Sequence, residues 1–164
     1  MSIPKIIHYC WFGGGPISPE SRKCMESWKK YCPDYKIIEW NEQSFDISTS
    51  RYAQQAYEAK KYAFVSDYVR LAVLYEYGGI YLDTDVELVR PLDELLEYKG
   101  FIGMERSTPT PHGRTLLVNT GSGVGAEPGC EMIGKMLAAY RDASFLQKNG
   151  KPDLYACTLR DTPL

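Results

Sequence analysis

Apolar positions fall along this chain in short aromatic runs and longer helical blocks, separated by glycine and proline. Lys5 to Trp11 (KIIHYCW) lies between Pro4 and Gly13-Gly14-Gly15, which predicts a buried strand running into a flexible loop. Trp11 then sits at the strand's carboxyl end, where ligands of open α/β sheets are found. Its ring suits either stacking on a flat ligand or ordinary core packing. Ser18-Pro19-Glu20 opens a helix, with Ser18 as cap and proline in the first turn. Met25, Trp28 and Tyr31 recur at helical spacing until Cys32-Pro33 stops the run. Tyr35 to Trp40 (YKIIEW) predicts a second strand, and residues 41–50 a loop pinned by Phe45 and Ile47. A strand–helix–strand opening implies an α/β domain with a mostly parallel sheet flanked by helices.

Arg51 to Lys61 predicts a fairly polar helix, and Ala63 to Tyr77 the strongest helix of the chain. Apolar residues surround the axis of the second one: Val65, Val69 and Val73 on one side, Phe64, Leu71 and Leu74 on the other. A helix apolar all round is buried. Asp67 and Arg70 stand i,i+3 on one face of it. They read either as an exposed ion pair of little energetic consequence, or as a buried pair held to hydrogen-bond a polyhydroxylated ligand, since buried charges need partners.

Gly78-Gly79 ends this helix, and the stretch YGGIYLDTDV follows, Tyr77 to Val86. Side chains alternate along a strand, which predicts Tyr81, Asp83 and Asp85 on one face and Ile80, Leu82 and Thr84 on the other. Two carboxylates on one face repel unless a cation lies between them. Their hard oxygens suit Mg²⁺ or Mn²⁺, which take one or two protein carboxylates and complete their shell with phosphate and water. A lone D-x-D is a weak signal, and its context gives it force.

Beyond it, Val86 to Val89 is expected to stay extended, Leu92 to Tyr98 to form a short amphipathic helix, and Phe101 to Met104 a strand. Glu105 to Arg114, rich in proline, threonine and charge, predicts a mobile loop over a site. Leu116 to Asn119 resumes a strand, and alternate glycines in VNTGSGVGAEPG predict close approach of another backbone or a ligand. Cys130 to Tyr140 predicts a helix with Met132, Ile133, Met136 and Leu137 inward. From Asp142 the pattern weakens, and Arg160 to Leu164 is expected to add no element.

The length, 164 residues, fits a single domain spanning 1–164. A net charge of -2 implies no basic face, so nucleic acid is not expected as a partner. The five cysteines lack any close pair spacing, so neither a disulfide framework nor a zinc site is favoured. Reduced thiols and a cytoplasmic location are the expectation. No run approaches the length of a membrane-spanning helix, which leaves peripheral membrane association open. His8 and His112 are the only histidines, too few for a zinc protease motif and poorly suited to a serine hydrolase triad.

The order IPKIIHYCWFGG, SWKKYCPDYKIIEWN, EAKKYAFVSDYVR, YGGIYLDTDV and VNTGSGVGAEPG resembles the DXD sugar-binding region of glycosyltransferase family 32. It is more distantly similar to the glucosylating domains of large clostridial toxins. The resemblance covers nearly the whole chain and rests most on S-D-x-x-R followed by Y-G-G-I-Y-L-D-x-D. It implies a GT-A-like, Rossmann-type transferase that moves a hexose from a nucleotide sugar, UDP-linked first, with retention of configuration and with Mn²⁺ or Mg²⁺. It also implies a glycan or lipid-linked acceptor, at the inner membrane face, as in polysaccharide biosynthesis. Position by position, Trp11 would stack on the base, Asp67 and Arg70 would hold the donor sugar and its phosphate side, and Tyr81 would lie near the diphosphate. Asp83 would reach ribose, sugar or metal, and Asp85 would be the main metal ligand. Relatives run well past this length, so the C-terminal part of the domain is expected to be missing. Three rival readings are a non-catalytic nucleotide- or carbohydrate-binding module, a phosphoryl-transfer domain with Asp83 as nucleophile, and an acidic turn without a ligand.

Overall fold

A computed structural model describes residues 2–110 and 113–162, with side chains described outside 106–116. Strand β1 (Ile6–Cys10) leads through helix α1 (Pro19–Tyr31) to β2 (Lys36–Trp40). Helices α2 (Arg51–Glu58) and α3 (Tyr62–Tyr77) then return the chain to β3 (Gly79–Tyr81). A 3₁₀ turn at Asp93–Glu97 precedes the hairpin of β4 (Gly100–Thr110) and β5 (Gly113–Ala126), followed by α4 (Glu131–Arg141) and α5 (Cys157–Asp161).

The strands lie in the order β2-β1-β3-β5-β4. β1 is parallel to both β2 and β3, while β5 runs antiparallel to β3 and β4. Only β5 therefore opposes the common direction, in keeping with a mostly parallel sheet. The first crossover places β2 on one side of β1, and the second places β3 on the other. That reversal opens a crevice at the carboxyl ends of β1 and β3, where ligands of doubly wound sheets bind.

Alternation along the strands feeds two cores. Ile7, Tyr9, Ile80 and Leu82 pack with Trp28 of α1 on one face. Cys10, Tyr81, Val124 and Ala126 pack with α2, α3 and α4 on the other. Between them, the buried His8 imidazole donates from Nε2 to the Gly78 carbonyl at 2.8 Å and accepts from Trp40 Nε1 at 3.0 Å. Serine caps start two helices: Ser18 Oγ accepts from Ser21 N–H, and Ser50 Oγ from Ala53 N–H.

Several expectations change. Residues Val86–Val89 form no strand, because β3 ends at Tyr81. The stretch expected as a mobile loop, Glu105 to Arg114, belongs to the β4–β5 hairpin, with Thr110 paired to Gly113. Pro111 and His112 lie outside the described residues, as do Pro163 and Leu164. The end of the chain contributes an element after all: α5 packs along β5, where the Thr162 hydroxyl accepts from Val118 N–H at 3.0 Å.

Candidate active site

A cavity of about 560 Å³ fills the crevice at the strand switch. Cys10, Trp11 and Phe12 border it from the end of β1, Tyr62, Ser66 and Arg70 from α3, and Tyr81 and Asp83 to Asp85 from the end of β3. Its size is that of an ordinary small-ligand pocket. Five of the six residues singled out in the sequence line it: Trp11, Arg70, Tyr81, Asp83 and Asp85. Asp67 does not line it and stands behind Arg70.

The two acids reach the cavity differently from the strand alternation expected. After Tyr81 the chain leaves the sheet, and Val86 N–H donates to the Asp83 carbonyl at 3.0 Å, closing a turn. That turn brings Asp83, Thr84 and Asp85 to one cavity, so Thr84 is not on the opposite side. Three contacts from α1 hold the far side of the turn. Cys24 Sγ meets the Asp85 carbonyl at 3.5 Å, Trp28 Nε1 donates to the Val86 carbonyl at 2.7 Å, and Leu88 N–H donates to Ser27 Oγ at 2.8 Å.

Asp67 and Arg70 form a buried pair, N–O 3.1 Å, with their side chains 10% and 4% exposed. The exposed-stripe alternative is thereby excluded. Arg70 also reaches Asp83 Oδ1 at 3.3 Å, and Tyr81 donates to the same oxygen at 2.9 Å. The guanidinium lies 4.8 Å from the Tyr81 ring centroid. Burial pushes the Asp67 carboxyl up, with Arg70 opposing. For Arg70 itself burial works against the charge, but the Asp67 and Asp83 carboxylates outweigh it and hold the group above its ordinary range. Burial raises the Tyr81 phenol strongly, which keeps it a neutral donor.

The loop after β1 is tied down rather than loose. Trp11 Nε1 donates to the Gly15 carbonyl at 2.7 Å, and Gly13 N–H to Glu42 Oε1 at 2.6 Å. Gly13 has φ +89°, and a Cβ there would run into the Tyr62 ring. The half-buried Trp11 also packs against the α1-side core, so its ring both packs and borders the cavity.

The glycine-rich run proves to be a bulge. Ile102 pairs with Val124 but Gly103 with Asn119, so residues 120–123 leave the ladder. Asn119 Oδ1 accepts from the N–H groups of Gly121 and Ser122 and shapes the bulge. Its inner side meets the site: Asp83 N–H donates to the Gly121 carbonyl at 3.1 Å, and a Cβ on Gly121 would collide with Asp83 Oδ2. Close approach of backbone to the acids is what that glycine serves. The sequence pattern did not single out Thr120, Cys157 or Asp161, which the fold brings to Arg70 from some 50 residues and more away. An S/T next to alternating glycines was the only trace of them.

Asp83 and Asp85 are hard oxygen donors on one turn, and among the described residues no hydrogen bond or ion pair engages the Asp85 carboxylate. No group of three or more His, Cys, Asp or Glu residues converges among the described residues. Such a donor set fits a magnesium-sized cation that shares its shell with phosphate oxygens and water.

Comparison with known proteins gives the chain a family. Residues 18–102 match the family described as "Glycosyltransferase sugar-binding region containing DXD motif". The chain belongs to that family. Inositol phosphoceramide mannosyltransferase 3 of Schizosaccharomyces pombe is 34% identical over 124 residues, 66% of this chain and 31% of the relative. Mannosyl phosphorylinositol ceramide synthase SUR1 of Saccharomyces cerevisiae is 32% identical over 111 residues, 61% of this chain and 27% of the relative. The chain thus spans under a third of the length of these glycosyltransferase relatives. The solved PaToxG glycosyltransferase superposes with a TM-score of 0.60 at 21% identity, covering 84% of this chain and 60% of that one. A transferase solved as a cysteine-to-serine mutant superposes with a TM-score of 0.55 at 10% identity, covering 98% of this chain and 84% of that one. The fold is the GT-A glycosyltransferase fold, and residues 18–102 carry that family's sugar-binding region.

Proposed function

We propose that this domain transfers a hexose from a nucleotide sugar to a glycan or lipid-linked acceptor, with retention of anomeric configuration and dependence on Mn²⁺ or Mg²⁺. The observation that supports this best is the convergence of Trp11, Arg70, Tyr81, Asp83 and Asp85 on one cavity at the strand switch. The names of the curated relatives add a ceramide-linked acceptor and a mannosyl group to the candidates.

Asp83 and Asp85 would hold the divalent ion, which supplies charge stabilisation to a departing diphosphate. Trp11 offers a ring at the cavity rim for the nucleoside base. Arg70 borders the cavity beside Asp83, paired with Asp67 at its buried end, and so would orient the donor without having to reorganise as charge develops. Tyr81 donates to Asp83 and fixes that carboxylate's rotation. The anomeric C–O bond breaks with its electron pair leaving on the nucleoside diphosphate. The acceptor hydroxyl forms the new bond from the same face, and its proton passes to the departing phosphate. No protein nucleophile is assigned.

The test is a panel of UDP- and GDP-sugars with and without Mn²⁺, read first by thermal shift and then by release of nucleoside diphosphate. Metal-dependent stabilisation and turnover by at least one donor is expected, with Asp85→Asn abolishing the turnover and leaving the fold intact. Unchanged turnover in Asp85→Asn sinks the metal assignment. Binding without any donor hydrolysis or transfer would favour a non-catalytic module on the same fold.

A further inference from the structure

The buried Asp67–Arg70 pair leaves half of the guanidinium to be satisfied from elsewhere. Its Nε donates to the Ser66 carbonyl at 3.3 Å, and its Nη2 serves Asp67 and Asp83. The remaining Nη1 donates to Thr120 Oγ1 at 2.9 Å, on the bulge of β5, with Cys157 Sγ more distant at 4.0 Å. Thr120 Oγ1 in turn donates to Asp161 Oδ2 at 3.3 Å. Thr120 is 1% exposed and Asp161 2%, so no solvent competes along this chain of bonds. A hydroxyl that accepts from a cation and donates to a carboxylate is polarised at both ends, and each bond strengthens the other.

Asp161 is held there deliberately. Its neighbour Arg160 lies among the rings of Tyr52, Tyr140 and Tyr155, at 5.3, 5.2 and 5.7 Å from their centroids, and pairs with Asp153 at 3.7 Å. Those contacts tie α5 to α2 and α4, while the Val118–Thr162 bond joins the same end of the chain to β5. The outcome is costly in polar terms: among the described residues, Asp161 Oδ1 is buried without a hydrogen-bond partner, as is Arg160 Nε. A fold seeking stability alone would not seat a carboxylate there. The same carboxylate is what the Thr120 hydroxyl needs in order to face Arg70 with its lone pair.

We infer that Thr120 and Asp161 are positioning residues of the donor site, holding the Arg70 guanidinium in register with Asp83 by a two-step hydrogen-bond relay from α5. The inference rests on the donor-site reading given above and extends it to two residues outside the matched family region. Neither residue touches the cavity; both act through Arg70.

The experiment uses four single variants of the full chain: Thr120→Val, Thr120→Ser, Asp161→Asn and Arg70→Lys. Affinity for UDP-glucose, UDP-galactose and GDP-mannose is measured by titration calorimetry with Mn²⁺. In parallel, the Arg70 Nε–Hε resonance is followed in ¹⁵N-labelled protein and assigned by its loss in Arg70→Lys. Thr120→Val keeps the side-chain shape and β propensity while deleting the relay, so it is expected to fold. It and Asp161→Asn should weaken the best donor about tenfold, the cost of one buried charged hydrogen bond, and shift the Arg70 resonance. Thr120→Ser restores the hydroxyl and should match wild type in both readouts. Equal behaviour of Thr120→Val and Thr120→Ser, or an Arg70 resonance unmoved in Thr120→Val and Asp161→Asn, overturns the relay. If the wild-type chain binds none of the three donors, the donor reading fails for them, and the resonance alone decides the relay.

Discussion

At the scale of single residues, two buried titratable groups pull stability in opposite directions with pH. His8 is neutral in the fold, donating at Nε2 and accepting at Nδ1, and burial lowers its affinity for a proton below the ordinary value of 6.5. The unfolded chain therefore binds that proton first, and stability falls as pH drops below about 6.5. His8→Gln should flatten this part of the thermal-denaturation profile. Asp161 behaves in reverse. Burial pushes its carboxyl up from 3.8 to about 6, so the folded state holds the proton more tightly and stability is lost as pH rises through that window. The melting temperature of Asp161→Asn should exceed wild type more at pH 8 than at pH 4. Equal gains at both would show that the carboxylate is not under this strain. Gly121→Ala is a third case at this scale. Its Cβ would displace the Asp83 carboxylate, so Mn²⁺-dependent donor binding should drop well before the melting temperature does.

At the scale of elements, α1 acts on the site from the opposite face of the sheet. Trp28 and Ser27 hold the backbone at Val86 and Leu88, just past the acidic turn. Ser27→Ala leaves the Leu88 N–H buried without its acceptor and should cost about 1–3 kcal/mol in denaturant unfolding, with weaker metal-dependent binding beside it. The elements themselves were mostly readable. The Ser18 cap with Pro19, the all-round apolar pattern of α3 and its Gly78 stop each depend on local chemistry, and each stands as expected. The alternation argument held through Leu82 and broke at Thr84 because β3 is three residues long, and strand length depends on what the neighbouring strands can pair. Strands at Phe101–Met104 and Leu116–Asn119 stand within β4 and β5, but their extension through 105–114 escaped notice for a related reason. Proline, threonine and charge over 105–114 read as loop composition, whereas the pairing that makes it a strand joins β4 to β5.

At the scale of the whole molecule, the candidate site was half legible. Residues contributed by β1, α3 and the segment after β3 could be singled out because their motifs are compact in sequence. Those from β5 and α5 could not, since nothing local marks Thr120 or Asp161 as facing Arg70. The C-terminal stretch joins these distant parts: Phe145 is fully buried against Tyr52 and Phe64, and Arg160 lies beside Tyr52 and Tyr140. Phe145→Ala should cost about 3–5 kcal/mol by thermal or denaturant unfolding. A chain ending at Asp142 should lose still more and give up donor affinity as well.

The acidic turn has one more implication, for how such a site can diverge. Asp83 is locked by Tyr81, Arg70 and the bulge, whereas Asp85 hangs from a backbone tethered by Cys24, Ser27 and Trp28. Substitutions along that edge of α1 can lengthen or shorten the reach of the second carboxylate while both acids stay in place. At the proposed metal site, cation preference would then be open to selection through a helix that carries no ligand.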